Sequence, residues 1–63
     1  MKFFQIAIDG GNPTGALFET RTAAQREVNF LRADDQRFAD EAMREAGLET
    51  KMPTYQIHEV TRG

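Results

Sequence analysis

Residues 22–46 read TAAQREVNFLRADDQRFADEAMREA, the only stretch of this chain that is long and periodic enough to predict a helix. The stretch contains no Gly or Pro and is rich in residues that favour helices. Thr22 and Gln25 have the spacing of a capping box, and Gly47 follows as a C-terminal cap. We therefore expect one long helix from Thr22 to Ala46, with the remaining residues arranged against it.

The apolar residues of this helix fall on one stripe, which we expect to face the core. At 100° per residue the stripe holds Ala24, Val28, Leu31, Phe38, Ala39, Ala42 and Ala46. Asp35 lies in the middle of it, where an unpaired carboxylate is costly to bury. A straight helix of this length would span about 37 Å, and a seven-residue strand covers only about 23 Å. We therefore expect a kink or break near residues 33–36; the alternative is that this turn overhangs the sheet.

Acidic residues line one flank of the stripe at intervals of seven, seven and four residues, so their carboxylates share one side of the helix. This acidic row consists of Glu27, Asp34, Glu41 and Glu45. The pairs Arg37–Glu41 and Asp40–Arg44 have the i,i+4 spacing of helix-surface ion pairs. The row is therefore either a solvated, partly neutralised face or a surface that binds a basic partner.

The acidic charge is concentrated in one part of the chain. The net charge of the 63 residues is −2. Residues 34–49 contain six acidic residues and only two basic residues, Arg37 and Arg44, so this segment has a net charge of −4. These acids are Asp34, Asp35, Asp40, Glu41, Glu45 and Glu49. Such a balance disfavours direct nucleic-acid binding, which depends on Lys and Arg, and favours a basic protein surface as partner.

The chain lacks the side chains of most catalytic centres. It has no Cys and no Ser, and its single His, His58, lies on a predicted strand. A domain of this size cannot enclose a deep cleft. We therefore expect no enzymatic activity, no cofactor and no metal. No apolar run is long enough for a signal peptide or a membrane span, so we expect a cytoplasmic protein without a membrane partner.

Alternating apolar residues predict strands at Lys2–Ile8, Ala16–Thr20 and Thr54–Thr61, and the glycine-rich residues 9–15 predict a hairpin turn rather than a phosphate-binding loop. The order ββαβ gives a two-layer α+β domain with an antiparallel sheet in order 2-1-3, or 1-2-3 if the helix reverses direction. The predicted core is Phe4, Ile6, Ile8, Phe18, Val28, Leu31, Phe38 and Ile57. One helix covers one face, which leaves Phe3, Ala7, Leu17, His58 and Val60 on an open face.

In size, cysteine-free acidic composition and ββαβ layout the chain resembles small phage-encoded anti-CRISPR proteins, particularly inhibitors of the type I-C system. The stretches that carry the resemblance are ALFETRTAAQREVNFL and RFADEAMREAGLE. The resemblance implies a protein that binds the CRISPR surveillance complex (Cascade) in a bacterial host and prevents recruitment of target DNA. The acidic row, with Asp35, Asp40 and Glu49, would then face the basic DNA-binding surface of that complex as a mimic of DNA charge.

Two other functions are compatible with the sequence. One is a structural or regulatory interaction module that dimerises through the open sheet face, with the acids serving solubility; a monomer fits the sequence better than this dimer. The other is a small RNA-binding domain that uses Phe3 and Tyr55, against which the acidic charge argues.

Overall fold

The computed structural model describes residues 1–62 as a three-stranded antiparallel sheet and one long helix. The strands are β1 (Lys2–Ile8), β2 (Thr14–Phe18) and β3 (Tyr55–Thr61), and the helix is α1 (Arg21–Ala46). The sheet order is β2-β1-β3. The predicted α+β class, the ββαβ order and the 2-1-3 sheet are therefore confirmed.

Strand β1 lies in the centre of the sheet and pairs with both neighbours. Its register with β3 is continuous, from Lys2 opposite Thr61 to Ile8 opposite Tyr55. Beyond this ladder Met1 and Arg62 also pair, the Met1 amine donating to the Arg62 carbonyl at 2.7 Å. The doubly apolar pattern that placed β1 in the centre therefore predicted its neighbours correctly.

Strand β2 is an irregular edge strand. Its register with β1 shifts between the Phe4–Phe18 and Ile6–Thr14 pairs, as at a β-bulge. Gly15 lies within the shift, and its carbonyl accepts a hydrogen bond of 2.9 Å from Gln5 Nε2. The predicted bounds Ala16–Thr20 were two residues too late, because residues 19–20 leave the sheet to start the helix.

The hairpin turn between β1 and β2 also holds the start of β3. Asp9 and Gly10 both have positive φ, and the Gly11 amide donates to the Ile8 carbonyl at 3.0 Å. Two positive φ values are the signature of the tight hairpin turn that Asp-Gly favours. The Asp9 carboxylate accepts from the Thr54 amide at 2.9 Å, so the turn fixes the point at which the chain re-enters the sheet.

Helix α1 runs without interruption from Arg21 to Ala46, so the break expected at residues 33–36 is wrong. The capping-box prediction is also wrong, because Thr20 caps the helix and accepts from the Ala23 amide at 3.1 Å. The Arg21 guanidinium then lies 5.1 Å from the centroid of the Phe4 ring. At the other end Gly47 has φ 65°, a left-handed conformation that Gly adopts without steric cost, as predicted. The side chain of Leu48, the residue after this cap, is exposed.

The core is small and lies between the first half of α1 and the centre of the sheet. Its buried apolar residues are Ile6, Ala24 and Val28; Ala7 is also buried, but on the opposite face of the sheet. Ile8 and Phe38 were predicted to be buried, but they are 50% and 67% exposed. Phe38 is exposed because α1 is longer than the sheet: Asp35 contacts Tyr55, the first residue of β3, so the residues after Asp35 extend past the strands. Ile8 is exposed because it lies on the β2 side of the sheet, where α1 leaves an open groove.

Candidate functional site: the projecting helix and the groove beside it

The second half of α1 projects beyond the sheet. From residue 36 to residue 46 the helix continues for about 16 Å past Asp35, which is hydrogen-bonded to Tyr55 of β3. Ala39 and Ala42, on the side that would continue the core, are half-buried, and the other side chains of this segment are exposed. The segment therefore offers most of its circumference to a partner.

Most of the predicted contact residues lie on this projecting segment or just before it. Asp34, Asp40, Glu41, Glu45 and Glu49 are exposed. Asp40 accepts a hydrogen bond of 2.9 Å from Gln36 Nε2, within the helix. Glu27 lies in the sheet-covered half of α1 and is half-buried.

The expected helix-surface ion pairs Arg37–Glu41 and Asp40–Arg44 do not form. The one ion pair among residues 1–62 joins Lys2 Nζ to Glu59 Oε1 at 3.3 Å, on the sheet. Exposed pairs of long side chains gain little over hydration, so correct spacing alone does not hold them together. The acids of the projecting segment therefore keep their charge free for a partner.

Asp35 is the exception among the predicted contact residues. Its carboxylate accepts a hydrogen bond from the hydroxyl of Tyr55, and both residues are half-buried. This bond, with desolvation, raises the pKa of Tyr55 from 10.0 to about 12. Tyr55 therefore stays neutral and remains a donor far above neutral pH. The contact gives the Asp35 carboxylate a partner, so the cost of burying it unpaired, which was the reason to expect a break in the helix, does not arise. The contact also holds α1 on the β3 side of the sheet.

An open groove of about 410 Å³ lies on the other side, between α1 and β2. Its apolar lining comes from Ile6, Ile8, Ala16, Phe18 and Leu31. Glu27 of the acidic row stands at its margin. The groove exists because a helix is about 10 Å wide, whereas three strands about 4.8 Å apart need a wider cover. Sequence reasoning did not predict it, although the excess width of a three-stranded sheet over one helix was a usable signal.

Neither a metal site nor a membrane-spanning helix is found in the described part of the chain. Residues 1–62 contain no group of three or more side chains that could hold a metal ion. Within the same residues no helix is both long enough and apolar enough to cross a bilayer. Comparisons of the chain with protein-family models, curated proteins and solved structures found no match. The surface of α1 and its groove are therefore the features from which a function can be argued.

Proposed function

We propose that this protein is an anti-CRISPR inhibitor that binds the basic DNA-binding surface of a type I surveillance complex and blocks target DNA. The contact surface comprises the acidic row together with Asp40 and Glu49. Asp35 supports this surface by fixing the helix through Tyr55 and makes no contact of its own. The resemblance to type I-C inhibitors makes that complex the first partner to test.

The observation that carries the proposal is the projection of the helix beyond the body of the domain, with exposed acids that form no ion pair. Asp34, Glu41 and Glu45 are exposed and form no ion pair within residues 1–62. A narrow, projecting helix can enter a channel that the whole domain could not. Its shape therefore suits the inhibition of a channel that holds nucleic acid.

The acidic row resembles DNA in charge sign rather than in charge density. Residues seven apart on a helix lie about 10.5 Å apart, whereas a duplex carries one charge per about 1.7 Å of its axis. Sparse rim charges of this kind act chiefly on the rate of encounter and on specificity. The four charges of the row would therefore act together to bring the inhibitor to a basic surface and hold it there, and buried contacts would add to the affinity.

The test neutralises the acidic row. Single changes such as Asp34→Asn should weaken inhibition only modestly, and the combination of Glu27→Gln, Asp34→Asn, Glu41→Gln and Glu45→Gln should abolish it. The measurement is target-DNA binding by the isolated type I-C complex as inhibitor is added. Inhibition by the wild-type protein should weaken as salt rises, and excess target DNA should compete with it.

A matched control separates the row from net charge. Glu19→Gln with Glu59→Gln also removes two exposed acids outside the row, with loss of the exposed Lys2–Glu59 ion pair, which contributes little to stability. This double variant should inhibit like wild type, whereas Asp34→Asn with Glu41→Gln should be weaker. A quadruple variant that inhibits as well as wild type would show that the row is only a solvated face.

The second candidate function is a homodimeric interaction module that uses the open sheet face. The observation in its favour is apolar surface there: Leu17 is 40% exposed, and Phe3 and Val60 are half-buried. Ala7 at the centre of this face is already fully covered by its neighbours. The accessible apolar surface is therefore split between side chains at the edges, which weakens this candidate.

A further inference from the structure

We infer that the groove between α1 and β2 binds an amphipathic, basic helix of the partner protein. The inference deepens the proposed function, on which it rests, by naming the chemistry of the segment that is bound. Apolar side chains of that helix would fill the groove, and its Lys or Arg side chains would meet the acidic row.

The apolar surface of the groove continues along the projecting segment. Leu31 lies in the groove, and Phe38, seven residues later, lies on the same side of α1. Phe38 is 67% exposed; Phe30 is equally exposed, but only Phe38 continues the line of Leu31. A bound helix lying along α1 would cover the groove and Phe38 together, with anchors spaced at i, i+3, i+4 and i+7.

The charge beside this apolar strip is of one sign. Glu27 stands at the margin of the groove, and Asp34 and Glu41 continue the same line outward. The groove lining contains no Lys or Arg. A helix with apolar residues on one face and cations next to them is therefore the complementary occupant, because both features would be satisfied at once.

A second copy of this chain fits the surface poorly. If two α1 helices packed antiparallel through this side about the middle of the helix, Glu27 would face Glu41 of the other copy and Asp34 would face its equivalent. Like charges in such positions repel. A strand added to the edge of β2 is also disfavoured, because the shift in register around Gly15 distorts that edge.

The experiment uses synthetic peptides and the full chain. The probe is a 16-residue helical peptide with Leu at i, i+3, i+4 and i+7 spacing and Lys elsewhere; the comparison peptides are its sequence-scrambled form and its Lys→Glu form. We expect the basic amphipathic peptide to bind at least tenfold more tightly than either comparison peptide. Titration by fluorescence anisotropy gives the Kd, and amide chemical shifts should change at Ala16, Leu31 and Phe38.

Two neighbouring residues of β2 provide a matched pair of variants. Ala16 is exposed and lines the groove, whereas Leu17 is exposed and lies outside its lining. Ala16→Arg should weaken peptide binding at least tenfold, and Leu17→Arg should leave the Kd within twofold of wild type. Should Ala16→Arg fail to fold by circular dichroism, Phe38→Ser on the projecting segment takes its place, with an expected loss of at least threefold.

The outcomes separate this inference from the proposed function. If the scrambled peptide binds with the same Kd, or if Ala16→Arg and Phe38→Ser leave the Kd unchanged, the groove is not the docking site. The proposed inhibition is then still tested by the surveillance-complex assay. Conversely, the peptide titration contains no surveillance complex. A protein that fails to inhibit the complex can therefore still bind the peptide in the groove. Tight binding of the Lys→Glu peptide would overturn the basic character of the occupant.

Discussion

At the scale of single residues, the Tyr55 hydroxyl and the Asp35 carboxylate make the one side-chain hydrogen bond between helix and sheet within residues 1–62. Asp35 lies between apolar neighbours on its stripe, where a carboxylate without a partner would be unfavourable. The bond satisfies it and, because Tyr55 starts β3, also sets the lateral position of the helix. One polar pair thus determines which flank of the sheet is left uncovered.

The first prediction at this scale removes that bond. Tyr55→Phe should lower the free energy of unfolding by about 1–2 kcal/mol, since it leaves a half-buried carboxylate without its donor. Urea denaturation at pH 7 measures the effect. Adding Asp35→Leu to Tyr55→Phe should recover most of the loss, because an apolar pair needs no donor. If Tyr55→Phe alone is as stable as wild type, water donates a hydrogen bond to Asp35 as well as Tyr55 does.

The same pair predicts a pH dependence in the alkaline range. The unfolded chain ionises Tyr55 near its ordinary pKa of 10.0, and the folded protein does so only near 12. The stabilisation is therefore complete below pH 10 and is lost as the pH rises from 10 to 12. The difference in stability between wild type and Tyr55→Phe should shrink across this interval, and a constant difference would contradict the assignment.

At the scale of elements, α1 consists of two halves with different support. The first half packs Ala24 and Val28 into the core, whereas the second half has partial cover on one side only. The left-handed cap at Gly47 and the Gln36–Asp40 hydrogen bond stabilise the second half locally. Helical propensity and capping, rather than burial, therefore maintain the projecting segment.

Hydrogen exchange should reveal this difference. Amides of residues 37–46 should exchange at least tenfold faster than those of residues 25–35, because opening free energies fall where few apolar contacts are buried. Ala42→Gly should speed exchange in the projecting segment about fivefold, in keeping with its propensity cost of about 1 kcal/mol. The same variant should leave residues 25–35 unchanged. Uniform protection along α1 would mean that the two halves unfold as one unit.

Local sequence signals were enough to predict the elements of this fold but not the position of its helix. The Gly47 cap, the Asp9–Gly10 turn and the alternation of β1 each depend on residues close in the chain. The partner of Asp35 is 20 residues away, and no local pattern points to Tyr55. Exposure of Ile8 and Phe38, and with it the groove, follows from that long-range contact and from the length of α1, so neither could be predicted from spacing.

At the scale of the whole molecule, the projecting helix makes the domain unusually extended. Its extents are 48 × 20 × 12 Å, and its Cα radius of gyration is 14.2 Å, whereas a compact chain of this length has a radius of about 10.6 Å. The accessible surface of 4897 Å² exceeds the roughly 4,100 Å² typical of this mass. Much of the chain therefore contributes to the surface and little of it to the core.

We predict that the protein remains a monomer in solution even at high concentration. The acidic rows of two copies repel each other, and the open sheet face exposes only separated apolar side chains. Light scattering should give the mass of one chain, and small-angle scattering a radius of gyration near that of the extended monomer. A doubled mass that Leu17→Arg returns to a single chain would instead favour the sheet-face dimer.

The pairing of Met1 with Arg62 has a practical consequence for how the protein can be attached to other molecules. Both residues lie at the start of the β1–β3 ladder, and the helix projects past the opposite end, beyond Ile8 and Tyr55. A fluorophore, a resin or a fused protein attached at either residue would therefore be some 40 Å or more from the tip of α1, a length set by the helix itself. Immobilised in this way, every copy would present its acidic tip outward, and a bound surveillance complex would meet no obstruction from the attachment.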